Sequence, residues 1–192
     1  MVKKIVFLFS IVNTGVPNAQ FYKAFLPSVN FTDSLARVVT DFRINFRHTQ
    51  RKRMESGNHA DIFKSKASIL CSQNCIIYRY HSVLDSSANR QAVIYSGESC
   101  KEALRAYKNT YRLLKRAKLL PTDQIGMEFH GEMDEPKEGV SFAQTVLQAH
   151  SSDPFYNKFV AETEPVNFYD KWEVHLNLHN KTNDNQEQAI YK

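Results

Sequence analysis

Glycine and proline are both scarce, six of each in 192 residues, which excludes collagen-like and low-complexity chains. No segment recurs with a period of about 20 to 50 residues, so solenoids and propellers are excluded as well. The chain has no G-x-G-x-x-G, no P-loop, no G-x-S-x-G and no His-Glu-x-x-His. Nucleotide binding, serine hydrolysis and zincin chemistry therefore have no motif to rest on. No apolar run approaches the roughly 20 residues that cross a bilayer as a helix. What is present is 42% hydrophobic, 12% aromatic and 23% charged. That is too apolar for a disordered chain and about enough for one folded domain.

The one marked apolar run stands at the start. Lys3 and Lys4 precede Ile5 to Val12 (IVFLFSIV), and a polar stretch, Asn13 to Gln20, follows. Charge, apolar run and polar tail in that order read as a secretory signal peptide over residues 1–20, cut after Ala19, although Pro17 departs from the small-x-small rule. The competing reading is a buried N-terminal strand of a cytosolic protein. Export places residues 21–180, read as a single domain, in the periplasm or outside the cell, with 181–192 as a flexible tail and no transmembrane segment in the mature chain. In an oxidising compartment Cys71 and Cys75, set between two strand-like runs, are expected to pair as a disulfide worth about 2 kcal/mol. Cys100 is then left over. The C-x-x-x-C spacing lacks the second ligand pair of a zinc site.

Residues 33–47 carry Leu35, Val38, Val39, Phe42 and Phe46 at helical spacing. Residues 51–58 read as a loop. Extended runs are expected at 66–71, 75–83, 91–96, 125–133, 140–149 and 170–179. Ser99 and Glu102 form a capping box that opens a helix over 100–118, packed by Ala103, Leu104, Tyr107, Tyr111 and Leu114. Asp153-Pro154 starts a short helix to about Ala161. Strands joined by short turns, with helices between groups of strands, predict a two-layer α+β fold: a mostly antiparallel sheet of about five to six strands with two main helices packed on it.

The series CIIYRYHS (75–82), Asp85, Gln91-Ala92, Tyr95, Ala103, Tyr107-Lys108, Tyr111, Asp153, Tyr156 and Trp172-Glu173-Val174 is similar to uncharacterised exported α+β proteins of Bacteroidota-type bacteria. The resemblance covers most of residues 25–180. It implies export into a Gram-negative envelope and brings no activity and no catalytic residue.

Two patterns suggest chemistry. Glu128, His130 and Glu132 alternate along one strand, and Glu173, His175, Asn177 and His179 along another. If the strands were neighbours, His130, His175 and His179 could hold a divalent metal, or His130 and His175 with Glu128 and Glu173 could act as acid and base. The plainer reading is the solvent side of a half-buried sheet. On the 100–118 helix, Lys101, Arg105, Lys108, Arg112, Lys115 and Arg116 form a basic face opposite the apolar one. Arg43, Arg47, Arg51, Lys52 and Arg53 form a second basic group. With export and no nucleic-acid motif, these read as solvated faces or as contacts to an acidic protein or envelope component.

The net charge of +5 conceals a partition: 20 Lys and Arg against 7 Asp and Glu up to Leu120, then 5 against 13. The sequence therefore points to an exported, non-catalytic binding or interaction module that needs no cofactor. The alternative is a small metal-dependent or acid/base hydrolase using the His/Glu cluster.

Overall fold

The computed structural model describes residues 29–81, 88–120, 126–136 and 143–181. The expected signal peptide, and the expected tail from residue 182 onward, lie outside them. The chain runs α1 (Val29–Phe42), β1 (Gln50–Ser56), β2 (Ala60–Ser65), β3 (Asn74–Tyr80), β4 (Ala88–Gly97), α2 (Cys100–Arg116), β5 (Met127–His130), β6 (Thr145–Ser151), a 3-10 turn (Pro154–Lys158), β7 (Phe159–Phe168) and β8 (Lys171–Asn180). All pairings are antiparallel, in one sheet of order β1-β2-β3-β4-β8-β7-β6-β5. The class is α+β, but the expected five to six strands are corrected to eight among the described residues. Helix plus four-strand meander occurs twice, and the two meanders meet at β4 and β8.

Three strands escape the hydrophobic pattern, for separate reasons. All of β1 after Gln50 is exposed, as befits an outer strand, so QRKRMES shows no alternation. The next strand, β2, is short and mostly half-buried. The strand β7 contains Pro165, a residue usually read against a strand. Its pairing with β6 ends at Thr145↔Thr163, whereas β8 pairs on to Phe168↔Lys171. Pro165 thus lies beyond the last β6 pair, where a missing N–H costs no ladder bond on that side. The expected strand at 66–71 is a turn instead, with Ser72 N–H donating to the Ile69 carbonyl at 3.0 Å.

α1 stops at Phe42 because Asp41 gathers the donors that follow. Its backbone carbonyl accepts from Ile44 and Phe46, and its carboxylate accepts from the His48 and Thr49 N–H groups at 3.1 and 2.9 Å. The turn passes through Asn45 and Phe46 with φ of 58° and 56°, which carries Phe46 back into the core. α2 begins at the expected cap: the Ser99 hydroxyl accepts from Glu102 N–H at 3.3 Å. Glu102 does not close the box but accepts from Tyr95 Oη. The buried stripe of α2 is Ala103, Ala106, Tyr107, Thr110 and Leu114.

Alternation sets the two faces of the sheet. Ala88, Ala92, Ala161, Leu147, Leu176 and Leu178 share one core with Leu35, Val38 and Val39 of α1 and Leu114 of α2. Both helices therefore cover the same face. Gly131 ends β5 where a Cβ would meet the Val146 carbonyl oxygen at 2.4 Å, so only glycine lets the two strands approach there.

Candidate binding face

Along β8 the expected alternation holds: Val174, Leu176 and Leu178 are buried under the helices, and Glu173, His175, Asn177 and His179 point to the opposite face, left open among the described residues. Register places Gln91 of β4 and Glu162 of β7 on either side of Asn177, and Val93 and Glu164 on either side of His175. The side chains join across the strands. Tyr78 Oη donates to Gln91 Oε1 at 3.4 Å, Gln91 Nε2 to Asn177 Oδ1 at 3.1 Å, and Asn177 Nδ2 to Glu164 Oε1 at 2.9 Å and Glu162 Oε1 at 3.4 Å.

His175 is enclosed between two carboxylates, with Nδ1 3.6 Å from Glu164 Oε1 and Nε2 2.9 Å from Glu173 Oε2. Its side chain is only 10% exposed. Burial alone would lower its pKa, but the hydrogen bonds and charges of Glu164 and Glu173 outweigh burial and raise it. His179 behaves alike: burial opposes, and Glu162 at 3.5 Å, with the Asn180 carbonyl, raises it. In return the hydrogen bond from His175 holds Glu173 below the usual carboxylate range against the opposing effect of burial, with Lys171 and Ser96 adding to it. Glu162 is likewise lowered, first by its bond to His179. With both imidazoles protonated, three carboxylates face two cations and Lys171, so the network is close to neutral.

The structure does not assemble the three-histidine cluster. His130 shares the open face, but β6 and β7 stand between β5 and β8, so it lies about 14 Å from β8 at ordinary strand spacing. His175 and His179, four residues apart on one strand, are separated by about 13 Å of backbone. No group of three or more His, Cys, Asp or Glu among the described residues could hold a metal ion. His130 instead lies against His150, the rings tilted by 48° with centroids 4.6 Å apart, and stands 3.9 Å from Glu128, beside a shallow cleft of about 560 Å3. Glu128 also pairs with Lys118 at 3.4 Å.

The basic face of α2 is partly occupied. Lys108 pairs with Glu135 at 2.8 Å, Lys115 donates to the Gly131 carbonyl at 3.0 Å, and Arg116 is also engaged. Arg105 and Arg112 are exposed. Cys71, Cys75 and Cys100 are all free thiols, which corrects the expected Cys71–Cys75 disulfide. Cys75 points from β3 into the core beside Ser72 Oγ at 3.2 Å, while Cys71 sits exposed in the preceding turn. Although the residue is exposed overall, partial desolvation of its thiol by neighbouring atoms pushes the pKa up, the opposite of an activated nucleophile. Cys100 is exposed at the first residue of α2.

Sequence reasoning picked out Glu173, His175, Asn177 and His179 but missed Glu162, Glu164 and Gln91. The signal was present in β7 as Glu162 and Glu164 two apart, and was masked by Pro165 and by extending the preceding helix to Ala161. No helix among the described residues is long and apolar enough to cross a membrane. Compared with known proteins, the chain matches no family model, and no curated protein and no solved structure matches it significantly.

Proposed function

We propose that the chain is an exported, non-catalytic binding module, periplasmic or extracellular, that presents the open face of its sheet to a protein partner. The observation that carries this reading is the engagement of His175. Both ring nitrogens face carboxylates, so no lone pair is left to take a substrate proton. The neighbouring hydroxyl, Ser96 Oγ, donates to the Glu173 carboxylate at 3.2 Å and not to the His175 imidazole. A half-buried lattice that fixes its own donors and acceptors across β3, β4, β8 and β7 is a preformed template for an interface. Exposed Val146 adds apolar contact beside it. Export rests on residues 1–20 and on the resemblance to exported envelope proteins.

The test places a photo-crosslinking residue at Val146 or Gln148 on the open face, and at Lys101 on α2, in the cells that make the protein. The expected result is one discrete adduct from the open-face positions that disappears with His175→Gln, and none from Lys101. Equal adducts from both faces would sink the binding-face reading. Recovery of the chain with Met1 intact in the cytosol would sink export.

A further inference from the structure

Between Phe42 and Glu55 the chain carries Arg43, Arg47, Arg51, Lys52 and Arg53 and no carboxylate. Phe46 and Thr49 turn inward, while Arg43, Ile44, Arg47, His48 and the whole of Arg51 to Met54 are exposed. Two of the cations are matched, Arg43 by Asp153 and Arg53 by Asp61 at 3.5 Å. Arg47, Arg51 and Lys52 have no ion-pair partner among the described residues. Arg47 adds its repulsion to Arg79, whose pKa is lowered first by burial and then by Arg47. A shallow cleft of about 560 Å3 lies among Arg43, Ile44, Asn45, Arg47 and His48.

The backbone thrusts these groups outward. The β1 register steps from Gln50↔Ser65 to Arg53↔Phe63, so Arg51 and Lys52 share a bulge and leave the ladder. Since β1 is the outer strand, nothing among the described strands pairs with its far side. Two aliphatic side chains stand in the same run, Ile44 at 37% and Met54 at 61% exposed.

We propose that this edge is a peripheral contact for an anionic lipid surface, with Arg47, Arg51 and Lys52 at the level of the phosphates and Ile44 and Met54 dipping toward the acyl chains. Unpaired cations interleaved with exposed aliphatics match the interfacial pattern, because the charges are attracted to anionic headgroups while the apolar side chains leave water. Guanidinium groups additionally bond phosphate oxygens two at a time. A nucleic acid would use the same cations, yet the aromatics of this run, Phe42 and Phe46, are buried and offer no base a stacking surface. The edge lies at the far end of the sheet from β5 and does not involve the open-face network, so its failure leaves the binding-face reading untouched.

The experiment is cosedimentation of the purified chain with vesicles, either equal parts phosphatidylglycerol and phosphatidylcholine or phosphatidylcholine alone, at low salt and at about 1 M salt, where the Debye length falls to about 3 Å. Binding is expected to the anionic vesicles only and to disappear at high salt. Each cation removed is expected to weaken partitioning about fivefold, so the triple variant R47Q/R51Q/K52Q loses on the order of a hundredfold. Because β1 substitutions could disturb the edge strand, Arg47→Gln alone, in the turn, gives a second reading at about fivefold, and Met54→Ser weakens binding without changing its salt dependence. Equal partitioning to both vesicle types, unchanged binding by Arg47→Gln and the triple variant, or retention on short duplex DNA in preference to anionic vesicles would each overturn the proposal.

Discussion

Arg90 is wholly buried, and a buried guanidinium is tolerated only where its donors and its charge find partners. It projects from β4 toward the helices, donating to Thr49 Oγ1 at 3.0 Å and to the Ala67 carbonyl. Thr49 Oγ1 in turn donates to the Asp41 carboxylate, so a hydroxyl relays the arginine to its counter-charge and ties α1, the 66–73 turn and β4 together. Nε has no hydrogen-bond partner among the described residues. Burial lowers the Arg90 pKa, opposed first by the adjacent Cys75 and then by Asp41. Arg90→Ala is expected to cost about 3 kcal/mol, because it strips the buried carboxylate of its counter-charge. In a domain of this size that lowers Tm by roughly 6–12 °C. Thermal unfolding checks it; a loss below about 1 kcal/mol would show that Asp41 needs only its backbone and Thr49 donors. Sequence alone does not expose this site. Asp41 and Arg90 are far apart in the chain, and Arg90 joins a core face only because β4 alternates Ala88, Arg90 and Ala92.

At the scale of elements, the β7–β8 hairpin shows a local conflict. Phe168 pairs with Lys171, leaving Tyr169 and Asp170 as a two-residue loop with φ of 50° and 66°. A hairpin turn of this hand suits Asn-Gly, whereas a tyrosine in the left-handed region is strained by its Cβ. The Tyr169 ring is fully exposed and gains no burial in compensation. The double substitution Tyr169→Asn with Asp170→Gly is therefore expected to stabilise the protein by about 1 kcal/mol, read as a higher urea midpoint at unchanged slope. An unchanged or lower midpoint would mean that the turn is not strained. The alternation of β8 and the cap of α2 were legible because each is written within about ten consecutive residues. The strands β1, β2 and β7 were not, because outer position, short length and a proline each hide the signal that burial normally imprints.

Across the whole molecule, the basic first part and the acidic second part pair with each other: Arg43 with Asp153, Lys108 with Glu135, Lys118 with Glu128. The open face adds a pH dependence whose sign follows from its pKa directions. His175 and His179 are raised, so their contribution is complete below the unfolded histidine value near 6.5 and is lost as pH rises through the folded values. Glu162 and Glu173 are lowered, so theirs is complete above the unfolded carboxylate value of about 4.3 and is lost as pH falls through the folded values. Stability is expected to peak between about pH 4.5 and 6.5 and to decline on both sides. A thermal-shift scan across pH reads this directly. The paired variant H175Q/H179Q should flatten the alkaline limb, and an unaltered limb would remove the two histidines as its cause.

The amino-acid sequence by itself determined the α+β class, the antiparallel habit, the α2 cap and the two faces of β8, since each depends on periodicity or on neighbours a few residues apart. It also held the partition of charge. Only the tertiary structure decided that the described residues form eight strands, that β6 and β7 part His130 from His175 and His179, that Cys71 and Cys75 remain thiols, and that Glu162 and Glu164 complete the network around His175. Strand order is the reason. Alternation tells which way a side chain points, but which strands lie side by side follows from long-range packing, and that adjacency makes or breaks a cluster of titratable groups.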